Sequence, residues 1–404
     1  MTANRETDMN ENRYDVIVVG ARCAGAPTAM LLAKAGHRVL VADRATFPSD
    51  TISTHLVHPP GVAALRRWGL LDRVTASGCP PIHTYAFDFG PFTISGSPGT
   101  DETPVAYCPR RTVLDKVLVD AAAAAGAEVR DGFTVTDVVF SDGVVTGIRG
   151  HGRDGRTVTE HARVVVGADG LHSLVARAVR ADQYRDTPRL QSSYYAYFSG
   201  LPMNGRYEVH IRPERGFGVM PTNDDLTVVI AGWPIAEFEA NRRDVEGNWL
   251  KTLDLVPSFA ERIRAAHRET RFVGAAVPNY LRKPFGPGWA LVGDAGYNKD
   301  FITAQGISDA FRDAELCTAA LHEAFSGTSP VEVAMARYHS MRDQHVLSMY
   351  EFTTQLATLE PPTPELAQLL AAVHGDRAAM DAFARMNGGV MSPTEFFDSL
   401  APSC

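Results

Sequence analysis

Cysteine is scarce and unpaired in this sequence of 404 residues. Cys23, Cys79, Cys108, Cys317 and Cys404 contain no C-x-x-C pair. An odd, scattered set points to a reducing compartment and excludes a disulfide framework. No run of about 18 consecutive apolar residues occurs, so no membrane span is expected. The longest apolar stretch, at 117–127, is interrupted by Asp120 and follows Asp115 and Lys116. Residues 1–13 are polar with mixed charges and lack the apolar core of a secretory signal. They are expected to form a disordered tail, and the expected location is cytoplasmic. No basic stripe exists. Lys and Arg total 39 against 47 Asp and Glu, a net charge of −8, which leaves nucleic-acid binding without its electrostatic basis. Internal repeats and low-complexity segments are absent too. What remains, 45% hydrophobic and 21% charged, is ordinary globular composition. At roughly 100–200 residues per domain it corresponds to two or three structural units.

The run YDVIVV at Tyr14–Val19 is short, apolar and β-branched, the pattern of a buried strand. A helical segment at 24–35 and a second strand at 38–42 (RVLVA) follow, making a βαβ start that ends at Asp43. An amphipathic helix broken by Gly69 is expected at 62–74, another helix at 113–125, a strand meander at 128–159 and a buried strand at 162–166. Between Ser192 and Trp233 the character changes to aromatic and β-branched runs separated by turn residues, which predicts an antiparallel sheet in a second domain. A buried strand at 289–292 and a helix at 305–324 precede a helical C-terminal part. There Ser329-Pro330-Val331-Glu332 and Ser392-Pro393-Thr394-Glu395 both fit a capping box with proline at the first helical position, and Thr363-Pro364 is a similar start.

One literal G-x-G-x-x-G occurs, from Gly150 to Gly155, but it neither follows a buried strand nor opens a helix, and it is expected to be a hairpin turn. The better dinucleotide site breaks the rule. Gly20-Ala21-Arg22-Cys23-Ala24-Gly25 lies between strand and helix, with Asp43 eighteen residues beyond Gly25. The chemistry needs a tight turn at Gly20, close helix–strand packing at Gly25 and backbone N–H groups facing a pyrophosphate, with Asp43 accepting ribose hydroxyls. Arg22 stands where the second glycine belongs; its Cβ is expected to point away from the phosphates and its guanidinium to reach toward them.

Three further segments extend the pattern. They are Gly167-Ala168-Asp169-Gly170-Leu171-His172-Ser173, then Gly293-Asp294-Ala295 followed by Ala304-Gln305-Gly306 and Asp309-Ala310, and Arg111-Thr112-Val113-Leu114-Asp115. Together they resemble the para-hydroxybenzoate hydroxylase-like flavoproteins, whose relatives include geranylgeranyl reductases and flavin-dependent halogenases. The resemblance runs from about Tyr14 to Ala324. It implies that Gly20, Ala21, Arg22, Ala24, Gly25, Asp43 and Arg44 hold the ADP half of FAD. Arg111 would contact the cofactor from its helix start, and Asp169 would stand near the phosphates and the nicotinamide route. Gly293 and Asp294 would meet the ribityl chain. Ala304, Gln305, Gly306 and Ile307 would begin a helix aimed at the flavin N1–C2=O edge, where a helix N-terminus favours negative charge. Ser53, Thr54 and His55 would lie beside the isoalloxazine ring. His55 and His58 have a metal-like spacing but no third ligand, so no metal is expected. Three departures bear on oxygen activation: Phe301 replaces a proline, Tyr297 a histidine, and Ala304 the first glycine.

The fold implied by this resemblance is α/β. A Rossmann-like FAD-binding domain spans 14–185 and 277–350. An inserted antiparallel β-sheet substrate domain spans 186–276, with 82–104 as a candidate addition, and a C-terminal helical region spans 351–404. The implied activity is an FAD-dependent monooxygenase. NADPH or NADH would reduce the flavin, and dioxygen would form a C4a-hydroperoxide. One oxygen atom would then hydroxylate or epoxidise a small organic substrate, an aromatic or polyketide-like secondary metabolite. No second dinucleotide fingerprint is present, which fits a single-component hydroxylase or one served by a separate flavin reductase. Monomer and homodimer are both open. The substrate pocket is expected to include Tyr195, Tyr197, His210, Arg212 and Phe301; no catalytic acid or base is named. Three rivals share the fold. A flavin-dependent double-bond reductase tends to carry a cysteine–glycine motif where Ser53-Thr54-His55 stands. A halogenase usually carries W-x-W-x-I-P, which Trp233-Pro234-Ile235 does not match. A non-redox protein would use FAD structurally.

Overall fold

Tyr14–Val19 lies inside the main sheet because both of its faces are apolar. Val16 and Val18 pack into one core cluster, Ile17 and Val19 into another, and all four are buried. In this computed structural model, which describes residues 13–400, the sheet runs Phe285–Gly286, Trp289–Leu291, Thr157–Gly167, Tyr14–Val19, Val39–Ala42, Glu128–Arg130. The pairings from Trp289–Leu291 to Glu128–Arg130 are parallel, and Phe285–Gly286 is an antiparallel edge. Helices Gly25–Lys34, Arg111–Ala124 and Gly306–Phe325 cover one face. The hairpin strands Thr134–Ser141 and Val144–His151 and the short helix Leu174–Ala178 cover the other. The Gly150–Gly155 motif joins antiparallel strands there, with Gly155 N donating to Gly152 O. Of the expected tail at 1–13, all but Arg13 lies outside the described residues.

A second large sheet runs His267–Arg268, Gln191–Ser199, Thr227–Pro234, Arg215–Pro221, Arg206–Arg212, Thr84–Asp88, Thr93–Gly96, with Val273–Ala275 also paired to Gln191–Ser199. Its pairings are antiparallel except between Arg206–Arg212 and Thr84–Asp88. The two-residue period sorts its side chains. Phe198, Phe217, Val219 and Trp233 pack against Trp249 and Phe259 of helices Val245–Leu253 and Pro257–Ala265, which the sequence pattern did not suggest. Tyr195, Tyr197, Tyr207, Met220 and Val228 form the other face.

The amphipathic segment at 62–74 breaks at Gly69 (φ +75°) into two helices, Pro59–Arg67 and Leu71–Thr75. One helix, Val331–Leu356, passes through the domain boundary expected at 350. It does not begin with Ser329 as its cap. Pro330 takes the N-cap place with extended ψ, and no side chain caps the helix. The second capping box closes in full, Ser392 N to Glu395 Oε2 at 2.8 Å and Glu395 N to Ser392 Oγ at 3.1 Å.

Candidate functional site

The first strand ends in a turn that only glycine allows at two positions. At Gly20 (φ +99°) a Cβ would stand 2.4 Å from Ala168 O, and at Gly25 it would stand 1.8 Å from Gly20 O. The helix that Gly25 opens has no side-chain cap and no acid in its first turn, so its leading N–H groups keep their pull on an anion. Asp43, at the end of the neighbouring strand, orders the turn by accepting from Ala21 N and Ala45 N, both at 2.8 Å. Arg44 beside it is exposed. Arg22 departs from expectation. Its guanidinium does not extend toward the phosphate position but pairs with Asp115 at 2.5 Å and donates to Ser49 O and Oγ and Asp50 O. A buried carboxylate offers it a stronger partner than open solvent does.

Asp115 is a hub. It is fully buried and accepts from Arg22, from Arg111 Nε and Nη2 (3.1 and 2.9 Å) and from the Cys23 thiol. Arg111 and Asp115 are four apart on one helix, the spacing that brings side chains together. Asp169 ends the neighbouring strand and caps the Leu174–Ala178 helix, with Oδ2 accepting from Leu174 N and Val175 N. Its Oδ1 is buried without a protein partner, and burial raises its carboxyl above the usual range.

Between Trp289 and Phe311 two residues are exposed, Asp294 and Gly306. Asp294 is open to solvent by area, yet surrounding protein desolvates its carboxylate and raises it, against the attraction of Arg111 and Lys299. Gly306 heads the 20-residue helix Gly306–Phe325, which has no side-chain cap. A Cβ there would meet nothing within 4 Å. The first-turn acid, Asp309, is neutralised by Lys299 and Arg312 beneath, so the helix end keeps its positive character. Ala304 holds a left-handed conformation, φ +54°, in the place where the resembled family has glycine. The side chain of Gln305 is buried and donates to Asn387 O at 2.9 Å. Ile307 is buried behind it.

Asp300 precedes this turn. Its Oδ1 accepts from Gln191 Nε2 and Ile302 N, and its Oδ2 is buried without a partner. Desolvation raises its carboxyl to about 7. A folded-state value above the unfolded one means that stability is lost as pH rises from about 4 to about 7, by at most about 4 kcal/mol. Asp300→Asn keeps the shape and has no such loss. Denaturation midpoints of the two proteins should therefore diverge in favour of the variant between pH 4 and 8; parallel curves would contradict the burial.

His55 (φ +64°) is buried, with Nε2 2.6 Å from the Tyr197 hydroxyl, and it packs edge-on to Tyr195 and Tyr197. Its Nδ1 has no protein partner. Burial, with the Arg111 charge, lowers it to about 3, so the ring is neutral at pH 7. Ser53 Oγ accepts from His55 N, Thr54 O faces the Cys108 thiol, and the Arg110 guanidinium lies 5.1 Å over the Tyr197 ring. Ser53, Thr54, His55, Tyr195 and Tyr197 thus come together. Phe301 is half-buried in the turn before Ala304. His58 uses both ring nitrogens, to Tyr85 Oη (2.7 Å) and Thr303 O (3.0 Å), which leaves no lone pair for a metal.

His210 and Arg212 do not share a face with Tyr195 and Tyr197. Both bind Asp88, at 2.9 and 2.8 Å, and His210 stacks on Phe259, on the sheet face opposite Tyr195 and Tyr197. Strand parity put them on one face together; it does not say how that face stands to the face of Tyr195 and Tyr197 on another strand.

Comparison with known proteins fits these elements. Residues 13–353 match the FAD binding domain family. Digeranylgeranylglycerophospholipid reductase 1 of Methanopyrus kandleri is 26% identical, over 89% of this chain and 94% of its own. The phenazine 1,6-dicarboxylic acid hydroxylase of Lysobacter antibioticus is 26% identical, over 89% and 95%. The myxobacterial chondrochloren halogenase, an FAD-dependent enzyme, superposes with a TM-score of 0.80 at 22% identity, over 94% of this chain and 100% of that one, a likeness of fold. The chain belongs to the FAD binding domain family and is a flavin-dependent oxidoreductase, of the group that holds monooxygenases, halogenases and reductases.

Proposed function

We propose that the protein is an FAD-dependent monooxygenase that uses NADPH or NADH, directly or through a separate flavin reductase, to hydroxylate or epoxidise a small ring-bearing organic substrate. The observation that carries this reading is the pair of exposed residues, Asp294 and Gly306, in a run otherwise buried or half-buried. An exposed carboxylate acceptor and an exposed, uncapped helix end suit the ribityl hydroxyls and the electron-rich edge of a flavin. The two glycines that no Cβ could replace suit the pyrophosphate. Gly20, Ala21, Arg22, Ala24, Gly25, Asp43 and Arg44 would hold the ADP half. Ser53, Thr54, His55, Arg111, Asp169, Gly293, Asp294, Ala304, Gln305, Gly306 and Ile307 would surround the rest. Arg22 would act there through Asp115.

Bound and reduced, FAD supplies the two electrons that activate dioxygen. The chain supplies the surroundings. The Gly306 helix end stabilises negative charge by roughly half a unit of positive charge. With Tyr197 donating to His55 Nε2, the assigned tautomer places a proton on Nδ1 and leaves a neutral N–H donor for a substrate oxygen. Tyr195, Tyr197 and Phe301 would exclude water from the reacting carbon.

Asp294→Ala removes the acceptor and should weaken FAD retention by about five- to a hundredfold, from about 1–3 kcal/mol for a lost buried hydrogen bond. The ratio of flavin to protein absorbance after gel filtration reads this. Full flavin content would sink the assignment. A double-bond reductase is the second reading, favoured by the Methanopyrus relative, and the same cofactor experiment leaves it standing.

A further inference from the structure

The family match ends at residue 353, but the chain continues into helices Pro364–His374, Arg377–Asn387 and Pro393–Leu400. These helices do not form a separate body. Phe383, Met386 and Phe396 belong to the same buried apolar cluster as Tyr195, Tyr197, Met220 and Ala304. Phe383 stands edge-on to Phe87 of the second sheet at 5.1 Å and to Phe396 at 5.6 Å. They pack on the Thr84–Asp88 and Thr93–Gly96 end of the sheet, on the same face as Tyr195 and Tyr197 and not on the face held by Trp249 and Phe259. Polar ties join the rim: Asp381 accepts from Ser97 N, His374 Nδ1 meets Thr93 O, and Ser348 meets Thr394.

One tie differs from the rest. Gln305 Nε2 donates to Asn387 O, and Gly389 is so close that a Cβ would stand 2.9 Å from Gln305 Oε1. Gln305 is the N-cap residue of the helix that Gly306 opens. The only covalent connection to these helices is the exposed, irregular stretch 360–363, just after Leu359 at φ +58°.

We propose that residues 359–400 form the end wall of the substrate space on the sheet face that carries Tyr195 and Tyr197, standing at its Thr84–Asp88 and Thr93–Gly96 end, and that Gln305 is a positioning residue that latches this wall to the turn at the head of the Gly306–Phe325 helix. The proposal rests on the functional reading above, in which that turn and that sheet face border the substrate. It also deepens that reading. Phe383, Met386 and Phe396 are buried in one apolar cluster with Tyr195 and Tyr197, so a molecule bound on that face meets apolar, aromatic surroundings, with its hydrogen-bonding group toward His55.

Two readouts test it on the holoenzyme. In Gln305→Leu, amide exchange in Arg377–Asn387 should quicken at least tenfold while exchange in Gly25–Lys34 is unchanged. Iodide quenching of the bound flavin's fluorescence should rise several-fold. Met386→Ala, which leaves the latch intact, should raise quenching with a smaller change in exchange. Unchanged exchange and quenching in both variants would overturn the proposal, as would exchange that rises equally in Gly25–Lys34. A wild-type protein that holds no flavin would defeat the functional reading instead, and the exchange comparison would still decide the latch.

Discussion

Asp115→Ala is expected to cost the fold about 3–5 kcal/mol, the cost of breaking a buried ion pair by removal of one partner. Three groups depend on that carboxylate: the Arg22 and Arg111 guanidinium groups and the Cys23 thiol. Arg111 is buried and has no other acceptor among the described hydrogen bonds, so its charge would remain in a desolvated place. Arg22 lies in the Gly20–Gly25 turn and Arg111 at the start of its helix, so the loss also frees two elements of the proposed cofactor site. Asp115→Asn should lose less, because its amide oxygen still accepts from one arginine. Urea denaturation of the three proteins measures the order. Wild-type-like stability in the alanine variant would show that the hub contributes nothing.

Gly25→Ala should abolish flavin loading and cost about 3 kcal/mol or more, the upper range of over-packing. The added methyl group meets backbone, Gly20 O at 1.8 Å, and backbone on both sides cannot give way. Gly36→Ala is the control. That glycine has φ +87° but no atom within 4 Å of a Cβ, so the change costs only the left-handed strain, about 1 kcal/mol. The two variants separate close approach from backbone strain. The ratio of flavin to protein absorbance should collapse in the first and hold in the second. Equal flavin content in both would contradict the role given to the turn.

The local parts of this architecture were legible in the sequence. Gly20, Gly25 and Asp43 carry their reason in their spacing, since a strand, a sharp turn and a helix must meet within a few residues. The Gly150–Gly155 motif was separable because it lacks that context. Long-range pairings were not legible. Nothing near Arg22 announces that its partner is Asp115, 93 residues away, so its guanidinium was expected to point at phosphate. His210 and Arg212 show the limit of strand periodicity. It groups side chains by face, but the inward face is chosen by what packs on the sheet, here two helices between Val245 and Ala265. The packing of residues beyond 359 on the Thr84–Asp88 and Thr93–Gly96 strands depends on tertiary contacts such as Gln305 to Asn387, which leave no local pattern.

The most direct test of the monooxygenase reading follows the oxygen atoms. The holoenzyme is supplied with NADPH or NADH, a panel of apolar aromatic compounds and labelled dioxygen, and each product is weighed by mass spectrometry. The predicted reaction consumes one dioxygen per nicotinamide, places one labelled oxygen in the product and the other in water. A product heavier by two hydrogens with no dioxygen consumed would contradict it and establish a reductase, and a product that gains halogen from added chloride or bromide would establish a halogenase.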